Sequence, residues 1–350
     1  MYLNKKNQLF DFVFKQKKYL YLKNKSIFIT GGTGYIGRWI LRSIDYLNYH
    51  KKLNIKLYLL IRNEKKFNCI NSLTKNTDLK IIKGDLLSFK FKKIPIDHIL
   101  HLATETKSKK KHDYLNISNT IVNGTARLIK YSNYLNANSI SYLSSGAVYG
   151  KNCKSKRGWN ELDKASPLVS DAYATYGLSK KCAESLLINN YNNFKRDKIL
   201  NIFRAFSFGG SYFNTDNNFA YDSFIKDRIF SRNIIIKTNG KSIRNYMHPI
   251  DLANWIFISL KSKKINIINT GGDSNLSLIK LAKTIAKFNY NKLPEVGIKI
   301  SKKNEFENYI PNLCNAKNLG LQSKISLKMQ IEDSLNFYYN NIYDKKNSSI

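Results

Sequence analysis

The segment Gly31-Gly32-Thr33-Gly34-Tyr35-Ile36-Gly37 constrains this chain more than any other. It joins an apolar run, Ser26–Thr30, to a stretch of helical spacing that continues through Leu47. Glycines at this spacing allow a sharp bend, a close approach of the backbone to pyrophosphate, and tight contact between helix and strand. The helix that follows offers free N–H groups and a partial positive charge to an anion. A lone glycine pattern carries little weight, and the strand before and helix after give this one its meaning. Gly31, Gly34, Tyr35, Ile36 and Gly37 are thus the first candidates for a phosphate cradle.

Further apolar runs at 56–61, 79–82, 99–103, 139–144 and 199–206 predict more strands, with helical stretches between them, notably 117–135 and 173–190. Strands alternating with helices imply a parallel sheet covered on both faces. The expected fold class is therefore α/β, a Rossmann-like doubly wound sheet with a smaller α/β C-terminal substrate lobe. Residues 1–24 read as a helical arm, 25–207 as the dinucleotide domain and 208–345 as the lobe. Within the lobe, 219–229 looks helical, and 265–269 is expected to return as a strand of the main sheet. At 350 residues and 43% hydrophobic content, the chain can bury one large core and a smaller one.

Composition narrows the function classes. No apolar stretch reaches the roughly 18 residues of a membrane span, and the start lacks the pattern of a signal peptide, so a cytoplasmic enzyme is expected. Cys69, Cys153, Cys182 and Cys314 are scattered, which predicts neither a disulfide framework nor a zinc cage. His98 and His101 fall on a strand and point to opposite faces, so no metal site is expected. The formal net charge of +35 would attract any polyanion. It comes mostly from lysines spread along the whole chain, which reads as a solvated surface rather than a specific nucleic-acid site.

The T-G-x-x-G-x-x-G spacing resembles the short-chain dehydrogenase/reductase superfamily, and within its extended branch the nucleotide-sugar epimerase/dehydratase family. An acidic residue normally ends the second strand and binds the adenosine ribose. Here Arg62 stands there, and its planar fork suits a 2′-phosphate. NADP(H) is therefore expected to be preferred, with NAD(H) possible. The resemblance implies that Asp85 and Leu86 contact the adenine, and that Ala103 on the fourth strand lies against the cofactor.

Tyr176 and Lys180 are four residues apart on a predicted helix, so they share one face. An ammonium beside a phenol favours the phenolate, and the tyrosine can then exchange a proton with a sugar oxygen while hydride moves at the same carbon. The fifth strand ends Ser144-Ser145-Gly146-Ala147-Val148-Tyr149-Gly150. Ser145 matches the family hydroxyl that holds the reacting oxygen, and the resemblance implies that Lys180 also binds the nicotinamide ribose. It further implies substrate contacts at Arg204, Ser207 and Arg244, the last on the nucleotide diphosphate. Glu184, one turn beyond Lys180, reads as a helix-stabilising partner.

Departures from the family narrow the chemistry. Sugar 4,6-dehydratases carry acid groups just after the strand-five hydroxyl, where this chain has Gly146 and Ala147. Ser207 replaces the family asparagine, and Ser211 a proline. The strand-five segment looks most like 4-ketoreductases of the abequose-synthase type. The expectation is an NADP-preferring reductase of a nucleotide-diphosphate 4-keto sugar for surface polysaccharide, acting as a homodimer. A 4-epimerase retaining NAD and a non-catalytic RNA-binding protein on the same scaffold are the alternatives.

Overall fold

The computed structural model describes residues 2–347 apart from 17, 64–69, 71, 105–112, 152, 154, 172–173, 194–197, 213–218, 263, 291–293 and 304–305. Runs such as Ile27-Phe28-Ile29 and Leu57-Tyr58-Leu59 are buried on both faces, as in a parallel sheet sandwiched by helices. They lie in β1 (Ser26–Thr30) and β2 (Lys56–Ile61). With β3 (Leu79–Lys83), β4 (His98–His101), β5 (Ser139–Ser145), β6 (Ile199–Ala205) and β10 (Ile265–Thr270) they form a seven-stranded sheet. All its pairings are parallel, in the order β10-β6-β5-β4-β1-β2-β3. The fourth strand begins one residue before the expected run and stops at His101, so Leu102 and Ala103 already belong to the loop.

Chain order reverses between β1 and β4. In a doubly wound sheet, this is where the loops at the strand C-termini part and leave a crevice for a ligand.

Helix α2 (Tyr35–Lys51) follows β1 and buries Trp39, Ile40 and Leu47 against Ile27 and Ile29. Helix α6 (Pro249–Ser259) shares that core through Trp255 and Phe257. On the opposite face, α3 (Tyr114–Leu135) and α4 (Ala174–Asn193) pack Leu128, Tyr131 and Leu187 against Phe28, Ile99 and Ile140. The first helix, α1 (Tyr2–Val13), lays Phe10 and the following Phe14 onto Tyr46, and Phe10 also stacks on Trp39. Both phenylalanines are fully buried, a contribution of about 1.5–3 kcal/mol each.

The later half of the chain builds a second, smaller sheet that the weak periodicity after residue 207 did not announce. Its centre is β9 (Ile243–Met247), flanked by β7 (Ser207–Phe208), β11 (Asn275–Ser277) and β13 (Asn308–Tyr309). A separate parallel pair joins β8 (Ile234–Ile236) to β12 (Ile298–Ile300). Helices α5 (Ala220–Ile229), α7 (Leu278–Ala286) and α9 (Leu327–Asn347) close a third core around Phe224, Leu281 and Ile331. The short α8 (Cys314–Asn318) rests by β10. Among the described residues, no helix is long and apolar enough to cross a membrane, and no His/Cys/Asp/Glu group could hold a metal ion. Cys69 lies outside the described residues.

Candidate active site

At the end of β1 the chain turns through Gly31, whose φ of +75° belongs to the left-handed region that glycine adopts freely. A Cβ at Gly31 would stand 2.5 Å from the Ala103 nitrogen, and one at Gly37 2.4 Å from the Gly31 oxygen. Those two glycines are required by the packing of the protein on itself. Gly34 differs, because a Cβ there would meet only the Gly31 oxygen, at 3.2 Å. It caps α2 without a side chain, so the N–H groups of Tyr35, Ile36 and Gly37 begin the helix unshielded. The space in front of Gly34 and these donors fit a pyrophosphate. The Tyr35 side chain turns away into the lobe, edge-on to Phe208, so only its backbone faces the cradle.

Arg62 and Asp85 follow β2 and β3, neighbouring strands. The Arg62 guanidinium reaches Asp85 at 3.6 Å, and both side chains are partly exposed. The second Asp85 oxygen accepts the Leu87 N–H at 2.8 Å and fixes the turn. The two residues assigned to the adenosine end thus sit together beside the crevice. The Leu86 side chain is buried against Gly124 of α3, so only its backbone is left to meet an adenine. The Ala103 backbone presses on Gly31 and donates to Thr30 Oγ1 at 3.3 Å.

The His101 ring bridges Thr30 (2.8 Å) and Thr125 (3.1 Å), and burial pushes its pKa down to about 3. It stays neutral and braces β1, β4 and α3. His98, on the opposite face, pairs with Ser139.

Ser145 ends β5, and its hydroxyl accepts the Ala147 N–H at 3.1 Å to start a 3-10 turn, Gly146–Tyr149. Tyr176 lies on the first turn of α4, where the hydroxyls of Ser145 and Thr104 favour its ionised form. Burial outweighs them and raises the phenol. This is the reverse of the expected direction. The lysine is buried one turn on, its ammonium 2.7 Å from the Leu143 carbonyl and 4.7 Å from the Tyr142 ring. Burial pulls Lys180 down to about 7, against an upward pull from Glu184. A neutral phenol that can give a proton, a hydroxyl beside it and a lysine that titrates near neutrality are the parts of a proton-transfer site.

Two assigned residues have other positions. Arg204 was expected on the substrate, but it is buried on β6, with Nη2 on Glu184 (2.7 Å) and Nη1 on the Tyr149 hydroxyl (2.8 Å) and the Glu161 carbonyl (3.1 Å). Glu184, read as a helix-stabilising partner, is buried: its carboxylate takes Arg204 and the Ser144 hydroxyl, and its charge also acts on Lys180. Arg244 sits on β9, bound to the Glu307 carboxylate and, at 2.8 Å, to its carbonyl, with one face on Tyr309. Ser207 begins β7, where the chain passes from the large sheet to the small one.

No sequence motif points to Tyr309. It pairs in β13 beside Arg244, and its phenol interacts with Ser145 and is influenced by Tyr176. A Cβ on Gly146 would stand 2.8 Å from the Tyr309 hydroxyl and equally close to Phe206. Position 146 is thus glycine because Tyr309 and Phe206 fill the volume a side chain there would need.

A family model described as the NAD dependent epimerase/dehydratase family matches residues 27–271, from β1 to the end of β10. The chain belongs to this family. Its members are NAD-dependent enzymes of the extended short-chain dehydrogenase/reductase type, and the seven-stranded sheet is theirs. An uncharacterised protein of Methanocaldococcus jannaschii is 23% identical over 337 residues, covering 91% of this chain and 98% of that protein. Among solved structures, the UDP-N-acetylglucosamine 4-epimerase of Methanobrevibacter ruminantium in complex with UDP-N-acetylmuramic acid superposes with a TM-score of 0.75. It is 18% identical, with 91% of this chain and 99% of that one covered. The UDP-glucuronic acid 4-epimerase of Bacillus cereus in complex with NAD gives 0.73 at 21% identity, covering 91% and 99%. The dTDP-glucose 4,6-dehydratase of Bacillus anthracis in complex with NAD gives 0.71 at 16%, covering 91% and 97%. These likenesses establish the common fold.

Proposed function

We propose that this enzyme is an NADP-preferring reductase that acts on a 4-keto sugar carried by a nucleoside diphosphate. The observation that carries the reading is the site around Ser145, in which Tyr176 and Tyr309 share one hydroxyl and no carboxylate follows it. Bound nicotinamide supplies the hydride. Tyr176 gives its proton to the oxygen that becomes a hydroxyl, Ser145 holds that oxygen, and Lys180 keeps positive charge beneath the pair. Ser145 and Lys180 are buried and Tyr176 is partly buried, which limits water at the exchange. Gly146 and Ala147 offer no group to remove water from the sugar, which speaks against a dehydratase.

The N–H groups that open α2 would hold the pyrophosphate, and Arg62 the 2′-phosphate, exchanging Asp85 for a doubly charged partner. Arg244 would bind the diphosphate of the sugar nucleotide from the small sheet. A uridine-linked sugar is the class to try first, because the 4-epimerase of Methanobrevibacter ruminantium binds one on the same fold. That likeness and the one to the Bacillus cereus enzyme also favour a second reading, a 4-epimerase with the same residues and a retained cofactor.

Titration of the purified protein with NADPH and NADH, followed by nicotinamide fluorescence, tests the proposal. The reductase reading expects NADPH to bind at least about tenfold tighter, the preference to vanish in Arg62→Asp, and the cofactor to exchange freely. Cofactor that arrives bound and does not exchange would favour the epimerase instead.

A further inference from the structure

The polar groups packed behind the catalytic face of α4 form one continuous assembly. Glu184 lies two turns beyond Tyr176 and one beyond Lys180 on that helix, and is 3% exposed. Its Oε1 accepts the Ser144 hydroxyl, and Nε of Arg204 donates to it at 3.1 Å. Its Oε2 accepts Arg204 Nη2 at 2.7 Å. Through Arg204 the contact extends to the Tyr149 hydroxyl, at the end of the 3-10 turn that Ser145 begins, and to the Glu161 carbonyl. Tyr149 in turn donates to Asn269 on β10 at 2.8 Å. One carboxylate therefore ties α4 to β5 at Ser144, next to Ser145, and to β6 and the turn through Arg204.

We propose that the Glu184–Arg204 pair is the positioning device of the active site: it fixes α4 on the end of β5, and its carboxylate serves as the counter-charge that holds Lys180 as a cation. The inference rests on the reading of Tyr176 and Lys180 as the proton-handling pair. An exposed ion pair would do little here, but this one is buried, four residues from the lysine, and hydrogen-bonded on both oxygens. The groups that contact or act on Lys180 are the Tyr142 ring and Leu143 carbonyl of β5, His101 of β4 and Glu184 of its own helix, with Tyr176 one turn before it. His101 is neutral and Tyr142 is held as the phenol by burial. Glu184 is the anion that acts on the lysine, and Arg204 offsets part of its charge.

This predicts shifts of opposite sign. Glu184→Gln keeps an acceptor for Arg204 and Ser144 but removes the negative charge, so Lys180 loses its proton at lower pH. Arg204→Met leaves the Glu184 carboxylate to Lys180 alone, so the lysine holds its proton to higher pH. Each shift should be about one pH unit.

The measurement is carbon NMR of the protein labelled at the lysine ε-carbon, titrated from pH 5 to 10. Lys180 is assigned by the loss of its resonance in Lys180→Met, and fold is checked by circular dichroism. A midpoint that falls in Glu184→Gln or rises in Arg204→Met supports the proposal, and either variant suffices if the other does not fold. Midpoints that stay at the wild-type value in a folded variant, or move in the reverse direction, overturn it. The titration does not depend on turnover. Unchanged midpoints together with loss of hydride transfer in Tyr176→Phe would remove the positioning role and leave the proposed function standing. Shifted midpoints with turnover surviving in Tyr176→Phe would do the opposite.

Discussion

The Lys180 ammonium donates to the Leu143 carbonyl across 2.7 Å, so the catalytic helix is bonded to the strand that presents Ser145. Burial lowers the lysine from 10.5 to about 7. Between those two values the unfolded chain binds the proton and the folded chain does not, so stability contributed by this group grows with pH and is lost as pH falls toward 7. Denaturant unfolding at pH 7 and pH 9 checks this. Relative to Lys180→Met, the wild type should gain on the order of 2 kcal/mol over that interval. An equal response of both proteins would show that the lysine is not desolvated.

Gly31 and Gly34 should separate folding from binding. Gly31→Ala places a Cβ at positive φ and 2.5 Å from the Ala103 nitrogen, which predicts a loss of about 2 kcal/mol or more and a visibly lower melting temperature. Gly34→Ala meets only one backbone oxygen and should cost under about 1 kcal/mol. Its methyl group enters the space for the pyrophosphate, so NADPH affinity should fall at least about tenfold. Thermal melts and a coenzyme titration on the two variants give the comparison.

Tyr309 offers its hydroxyl to the same serine as Tyr176. Removing that hydroxyl in Tyr309→Phe keeps the ring against Phe206 and should leave the fold intact. A loss of about tenfold in kcat/KM is expected, the worth of one hydrogen bond to a substrate or its serine. Gly146→Ala should cost both stability and activity, since the new methyl meets Tyr309 and Phe206 at 2.8 Å. Steady-state kinetics and melting of both variants check the pair.

What the sequence disclosed and what it withheld divide along physical lines. Local periodicity reports burial of nearby residues, and β1 and β2 were legible to the residue. The fourth strand was placed late because Leu102 and Ala103 are apolar like a strand, although the sheet pairing ends at His101. The small sheet was not legible: its strands are two to five residues long and draw partners from positions far apart in the chain.

Motif spacing placed Tyr176 and Lys180 on one helix face, but spacing carries no dielectric. Burial therefore reversed the expected shift of Tyr176. Glu184 and Arg204 are twenty residues apart, on a helix and a strand, and nothing in either segment announces that they face each other. Tyr309 arrives from a strand of two residues, more than 130 positions beyond Tyr176. The one sequence sign of it is Gly146, a glycine directly after the serine that ends the fifth strand.

The proposed function rests on hydride transfer to a sugar carbon, with Tyr176 as the proton donor. NADPH deuterated at the transferring carbon, mixed with a UDP-linked 4-keto-6-deoxy sugar and analysed by mass spectrometry, tests it most directly. Deuterium should appear in the sugar nucleotide with wild type, and at least a hundredfold more slowly with Tyr176→Phe. Equal deuterium transfer by Tyr176→Phe, or none by a wild type that binds the coenzyme and the sugar nucleotide, would contradict it.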